Sequence, residues 1–268
     1  MNHLRRHLAP VPDSAWIQID DEATRSLKLY LAARRVIDVA GPVGWDNDAV
    51  TTGLVAPVAP AVAGIVAGVR QPLAMAELRT PFSLSLSDVD SADRGNPAID
   101  TDPIIAAART AAEAEDHVVF HGLPGSGMAG MVAESPYDEI PLTPDAENYP
   151  QPVAQAVKVL RDAGIGGPYT IALGDPEYTK AVETTEHGGY PVLEHLRSVV
   201  GGEVVWAPAL EGAVVLSTRG GDFELTIGQD FSIGYSGQSD DSVQLYLEES
   251  IGFRVLTPGA AVHLSRSV

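Results

Sequence analysis

DPIIAAARTAAEAEDHVVFH, residues 102–121, is the stretch that decides the fold. Asp102 suits the free N–H groups of a helix start, and Pro103 brings a preset φ to a position where its missing donor costs nothing. Ile104, Ile105, Ala108, Ala112 and Ala114 then predict a long helix with a small-residue face that other elements can approach closely. Arg109, Glu113 and Glu115 are expected to keep one side wet. The helix should end near Gly122, in a loop rich in glycine and turns, and so divides the chain as a central helix between two structural regions.

Working outward toward the N-terminus, residues 76–86 (AELRTPFSLSL) include a strand-like stretch, followed by the acidic and polar run DVDSADRGNPAIDTD. Before it, residues 49–75 are rich in Val, Ala, Gly and Pro with few charges. Pro57, Pro60 and Pro72 exclude a helix running through them. Extended and apolar, this segment predicts a projecting β-hairpin arm that needs a neighbour, most simply another subunit, to cover it. Residues 13–35 read as the first helix, with Asp13 as cap, Trp16, Ile19, Ala23, Leu27 and Leu31 at helical spacing, and Arg34 and Arg35 at the carbonyl end.

Toward the C-terminus, prolines at 124, 136, 141 and 144 keep the next stretch in loop and turn. A helix over 152–163 ends at Gly164. A buried-type strand follows at 169–173, then a short helix opened by Asp175-Pro176, a flexible loop ETTEHGGYP, and a helix over 191–199. From Glu203 onward the pattern is strands, VVWA, AVVLST, FELTI, FSIGY, VQLYLEE and FRVL, divided by turns at Glu211-Gly212, Gly220-Gly221 and Gly237.

Composition bounds the function. The 268 residues with 45% hydrophobic content can bury a substantial core, and the absence of cysteine removes disulfides, thiolate nucleophiles and zinc–thiolate sites together. No segment reaches the roughly 20 apolar residues of a membrane span, so a soluble, unexported, cytoplasmic protein without a membrane partner is expected. A formal charge of −19 argues against a nucleic-acid binder.

Catalytic motifs do not hold up in context. Gly125-Ser-Gly127-Met-Ala-Gly130 matches the string G-x-G-x-x-G, but a helix rather than a strand precedes it and Pro136 stops a following helix. His117 and His121 have the spacing for a shared metal and lack a third ligand nearby, so no metal site is expected. A nucleophile elbow is missing. Glu183 with Glu186, and Asp240 with Asp241, read as solvated loop carboxylates rather than acid–base pairs. Catalytic residues and cofactors are accordingly expected to be none. The residues alone give an α+β protein with an arm that wants a partner.

Long ordered blocks carry the reading further. LRRHLAPVPDSAW (4–16), LAARRVIDVAGPVGW (31–45), LRTPFSLS (78–85), GPYTIALGDPEYTKAVETTEHGGYPVLEHL (167–196), VVWAPALEGAVVLSTRGGDFELTIGQDFSIGY (204–235) and VQLYLEESIGF (243–253) resemble the encapsulins, bacterial nanocompartment shell proteins also known by a linocin-type bacteriocin name. The resemblance runs nearly end to end. It implies the major-capsid-protein fold of tailed bacteriophages. Residues 1–48 would hold the N-terminal helix and the start of the peripheral domain, 49–75 the extended arm, and 76–141 the peripheral domain with its spine helix. Residues 142–215 would form the axial domain, and 216–268 the strands returning to the peripheral domain. It further implies a homo-oligomeric icosahedral shell, a closed assembly of multiples of about 60 subunits, enclosing a cargo protein such as a dye-decolorising peroxidase or a ferritin-like iron oxidase.

Two sites follow from the same resemblance. A C-terminal cargo peptide would be captured by Leu27, Tyr30, Leu31, Arg34 and Asp38 with Asp230, Phe231 and Ile233, apolar contacts holding it and Arg34 or Asp38 fixing its register. The loop Glu183, Thr184, Thr185, Glu186, His187, Gly188, Gly189 and Tyr190 would line the five-fold pore, where Glu186 and His187 repeated round a ring favour cations. This loop departs from the family's usual HGYP by one extra glycine, and Val192-Leu193 stands where Ile-Arg is common, which makes it more acidic and more pliable. A hydrolase or secreted bacteriocin, and a phage head protein, are the competing functions.

Overall fold

The computed structural model describes residues 3–60, 62–186 and 188–266. The first long helix, α1 (Asp13–Tyr30), buries Trp16, Ile19, Ala23 and Leu27 along one stripe. It stops at Tyr30 rather than continuing to Arg35, and a 3-10 turn, Ala33–Arg35, follows. The cause is tertiary: Asp116 accepts the backbone N–H groups of Ala32 (3.0 Å) and Ala33 (2.9 Å), which pulls the chain off the helix axis. Asp13 opens the helix without a side-chain cap bond and helps only through the helix dipole. Strand β1 (Asp38–Ala40) comes next.

The arm is a pair of short ladders. β2 (Ala49–Val50) pairs antiparallel with β5 (Leu73–Ala74) at its base, and β3 (Val55–Val58) with β4 (Ala67–Arg70) further out. Leu54, Val55, Val62, Ile65 and Val69 are exposed along it, and Val66 is 100% exposed. Each is more than half exposed in the protomer.

After the arm, β6 (Ala76–Ser85) leads into α2 (Leu86–Asp93), where Ser85 accepts from the Ser87 N–H. The acidic and polar run, for which the sequence pattern predicts no element, begins as a helix, capped by serine and with Val89 and Ala92 buried. α3 (Asp102–His121) is the central helix, with Thr101 as its N-cap residue rather than Asp102. Ala107, Ala108, Ala111 and Ala112 are buried beneath α1 and β6. Glu115 is buried on the same helix, contrary to the expectation of a wet position, because Arg34 pairs with it from across the fold. The G-x-G-x-x-G string lies in a hairpin, β7 (Gly122–Leu123) with β8 (Met128–Ala129), ahead of the one-turn helix α4 (Met131–Glu134). Gly122 has φ 87°, and a Cβ there would meet the Met128 carbonyl oxygen at 2.7 Å.

The remaining elements are β9 (Ile140–Leu142), α5 (Pro150–Asp162), β10 (Tyr169–Leu173), α6 (Asp175–Glu183), α7 (Val192–Val200), β11 (Val204–Trp206), β12 (Ala213–Ser217), β13 (Phe223–Ile227), β14 (Ser232–Gln238), β15 (Ser242–Val255) and β16 (Ala261–Arg266). One sheet runs β1-β13-β15-β14, with β6 antiparallel to β15 from Ala76 to Ser85. The other runs β11-β10-β12-β16-β9. Two strands expected separately, VQLYLEE and FRVL, are one continuous β15. The expected return of all of 216–268 to the first region also needs correction, since β16 pairs with β12 and β9 in the second sheet. Gly237 marks a register irregularity inside β14 rather than a turn.

Three clusters fill the interior. α1, α2 and α3 close over the first sheet with Ile19, Ile104, Leu245 and Leu247. α5 and α7 pack on the second sheet with Leu160, Leu196, Ile171 and Val215. Between them, the end of α3 contributes Val118, Val119 and Phe120 to a junction with Leu216, Leu225 and Phe253.

Candidate functional site

The surface beside the end of α1 brings together most of the residues assigned to cargo capture. Leu27 and Ile233 are buried in the helix-over-sheet core, and Tyr30, Leu31 and Phe231 pack half-buried against it. The Tyr30 ring lies 5.7 Å from that of Trp206 and under the Arg109 guanidinium at 5.6 Å. Arg34 sits over Phe231 at 5.3 Å.

Arg34 is the electrostatic centre of the surface. Its Nε donates to both Glu115 oxygens at 2.9 Å, its Nη2 to Glu115 Oε2 at 2.5 Å and Glu249 Oε2 at 3.2 Å, and its Nη1 to Asp230 Oδ1 at 2.9 Å. Asp230 is half exposed, whereas Glu115 and Glu249 are 0% exposed. Arg34 is thus engaged within the protomer, with only Asp230 open to an incoming group.

Burial acts strongly on these acids. It pushes Asp116 up to about 7, against the two backbone N–H groups that favour its ionised form. Burial first, and the Glu115 charge second, push Glu249 well above the usual carboxylate range.

Asp38 stands apart from this group. Its carboxylate accepts the Gly221 N–H at 2.5 Å and lines a small cleft with Ser217, Thr218 and Asp222. The structure therefore ties Asp38 to the Gly220-Gly221 turn.

The expected pore loop joins α6 to α7. Glu183 ends α6, the Thr184 N–H bonds back to Lys180, and Thr185 forms an isolated bridge with Pro191. The Glu186 N–H donates to the Tyr190 carbonyl, and the Gly189 N–H to that of Glu186. Gly188 (φ 115°) and Gly189 (φ 82°) turn the chain as few other residues can. Tyr190 is half exposed; His187 lies outside the described residues. Sequence reasoning missed His195, whose Nδ1 is 2.5 Å from Glu186 Oε1 and whose ring meets Tyr190 edge-on at 6.1 Å. The signal was its place one helical turn into α7, facing back toward the loop.

His117 and His121 have ring centroids 4.8 Å apart. Among the described residues, no group of three or more His, Asp or Glu side chains has the arrangement to hold a metal ion. No helix among them is long and apolar enough to cross a membrane.

Comparison with known proteins settles the family. The family model described as "Encapsulating protein for peroxidase" matches residues 1–252. A type 1 encapsulin shell protein of Brevibacterium linens is 46% identical over 266 residues, covering 99% of this chain and 100% of the relative. One from Rhodospirillum rubrum is 45% identical, covering 98% and 96%, and one from Mycobacterium tuberculosis is 42% identical, covering 99% and 100%. Among solved structures, a virus-like particle from Pyrococcus furiosus superposes with a TM-score of 0.65 at 14% identity, covering 93% of this chain and 99% of that one. The capsid of the myovirus XM1 gives 0.55 at 12% identity, covering 87% and 90%. These likenesses establish the α+β capsid fold of tailed bacteriophages, and with it the chain belongs to the type 1 encapsulin shell-protein family.

Proposed function

We propose that the chain is the protomer of a closed icosahedral nanocompartment in the cytoplasm, acting by enclosure rather than by catalysis. The arm carries this reading: Leu54, Val55, Val62, Ile65, Val66 and Val69 stay in water unless another copy covers them, and leaving such a row exposed on a monomer is unfavourable. Closed symmetry covers every arm at once and leaves no free interface.

The shell encloses a cargo enzyme, a peroxidase of the dye-decolorising type or a ferritin-like iron oxidase, by its C-terminal peptide. Tyr30, Leu31 and Phe231 offer an apolar shelf for an extended segment, and half-exposed Asp230 supplies a hydrogen-bond acceptor at its edge. Leu27 and Ile233 support that shelf from below. The loop 183–190 lines a pore where Glu183 and Glu186, repeated round a ring, attract small cations such as ferrous iron.

Imaging of particles expressed alone and with the neighbouring genes tests the reading. Uniform hollow spheres alone and filled ones with a neighbour are expected, and Arg34→Ala with Phe231→Ala should empty the filled ones. Small oligomers under both conditions would overturn the shell reading; filled spheres from the double variant would overturn the assigned cargo surface.

A further inference from the structure

We propose that Glu249 carries a buried proton that it donates to the Glu115 carboxylate, and that this carboxyl–carboxylate pair positions Arg34 beside the cargo surface. The consequence for cargo rests on the reading above; the proton does not. Three elements meet here: Arg34 from the turn after α1, Glu115 and Asp116 from α3, and Glu249 from β15, with Asp230 at the solvent edge.

Charge balance is the first argument. Glu115, Asp116 and Glu249 are fully buried around a single guanidinium. Three ionised carboxylates there would leave an excess of buried negative charge, which is the least favourable arrangement a protein interior can hold. Asp116 is partly compensated by the Ala32 and Ala33 N–H groups. Glu249 has no such backbone donors.

Hydrogen bonding is the second. Glu249 Oε2 reaches Arg34 Nη2, the same nitrogen that bonds Glu115 Oε2, so the two carboxyls meet at one donor, while Glu249 Oε1 is buried and without a hydrogen-bond partner among the described residues. A buried carboxyl oxygen that lacks a donor, beside a second carboxylate on the same guanidinium nitrogen, is accounted for when that carboxyl holds a proton. Glu115 then stays the charged partner that orients Arg34 through Nε and Nη2, and the proton belongs to the pair rather than to either residue alone. Glu249 is in this sense a positioning residue.

Raising the pH must remove that proton. Ionised Glu249 would repel Glu115, with Asp116 and Asp230 adding to the repulsion and Arg34 alone opposing it, so the turn over residues 31–37 loosens as pH rises.

Two measurements on the assembled particle test this. In the Asp116→Asn background, the infrared band of a protonated carboxylic acid should persist at neutral pH and disappear with Glu249→Gln; a band unchanged by that substitution overturns the proposal. Hydrogen exchange of residues 35–37, whose amides bond within the turn and not to Asp116, corrected for intrinsic rates, should show protection falling as pH rises above neutral in the parent protein. Glu249→Gln should keep the protection and lose the fall seen in the parent as pH rises, and Glu249→Ala should lose about tenfold already at neutral pH. A Gln variant that follows the parent's pH profile, or that loses protection as Ala does, contradicts a positioning role. Should Arg34→Ala still hold cargo while the infrared band behaves as stated, the cargo surface falls and the proton stands.

Discussion

The end of α3 and the arm are built from similar residue types, yet they stand at opposite extremes of burial. Val118, Val119 and Phe120 are covered on all sides by Leu216, Leu225 and Phe253 of the same chain. Val55 and Val69 are more than half exposed, and Val66 is fully exposed. Near Phe120 the protomer completes its own core, whereas along the arm it leaves apolar surface that only another copy completes. The lesson is that fold stability and assembly are carried by separate surfaces and can be broken separately.

Removing the arm tip, residues 55–69, should break the comparison most completely. Particles are expected to vanish in light scattering, while circular dichroism and cooperative unfolding of the protomer persist, since β3 and β4 pair with each other and with no core strand. Phe120→Ala should do the opposite, destabilising the protomer by about 3–5 kcal/mol in denaturant unfolding through a cavity at the junction. Val66→Asp sharpens the contrast, since it should impair assembly with a change in protomer stability within about 0.5 kcal/mol.

Asp116→Asn probes the buried acids with a smaller effect. The Asp116 pKa rises from 3.8 to about 7 on folding, so the folded state binds the proton more tightly than the unfolded chain. Its contribution is fully present below about pH 3.8 and is lost as pH rises through about 7, with a slope approaching 1.4 kcal/mol per unit in that window. The asparagine variant should lose that slope in pH-dependent melting. Smallest is the loop: deleting Gly189 together with Glu186→Gln should slow cation entry several-fold in stopped-flow iron uptake at low salt, and leave melting within about 0.5 kcal/mol. Unchanged uptake would remove the loop from the entry path.

Local pattern made most of the helices and strands legible, though not α2 or α4, because the Trp16–Leu27 stripe and the alternation in Phe223–Ile227 need only neighbours in sequence. What escaped it were charges that distant residues bury. Glu248 and Glu249 end a predicted strand, but Arg79 and Arg34 pair with them from 169 and 215 residues away and bury them, and β6 and β13 pair across Ser250, Ile251 and Gly252, so β15 runs straight through. Glu115 reads as the polar face of a helix for the same reason. Strand β16 is six residues with His263 and Ser265 within it, too short and too mixed for its period to show before β12 and β9 flank it. At the proposed cargo surface, the apolar members were named through resemblance, while the engagement of Arg34 and the detour of Asp38 to Gly221 needed the three-dimensional arrangement.

The most direct test of the account is the mass of the purified full-length chain, by light scattering or native mass spectrometry, beside that of the chain lacking residues 55–69. The account predicts closed particles of a multiple of about 60 subunits for the first and a folded monomer or small oligomer for the second. A full-length chain that stays monomeric with its arm intact, or an arm-deleted chain that still closes into particles, would contradict it.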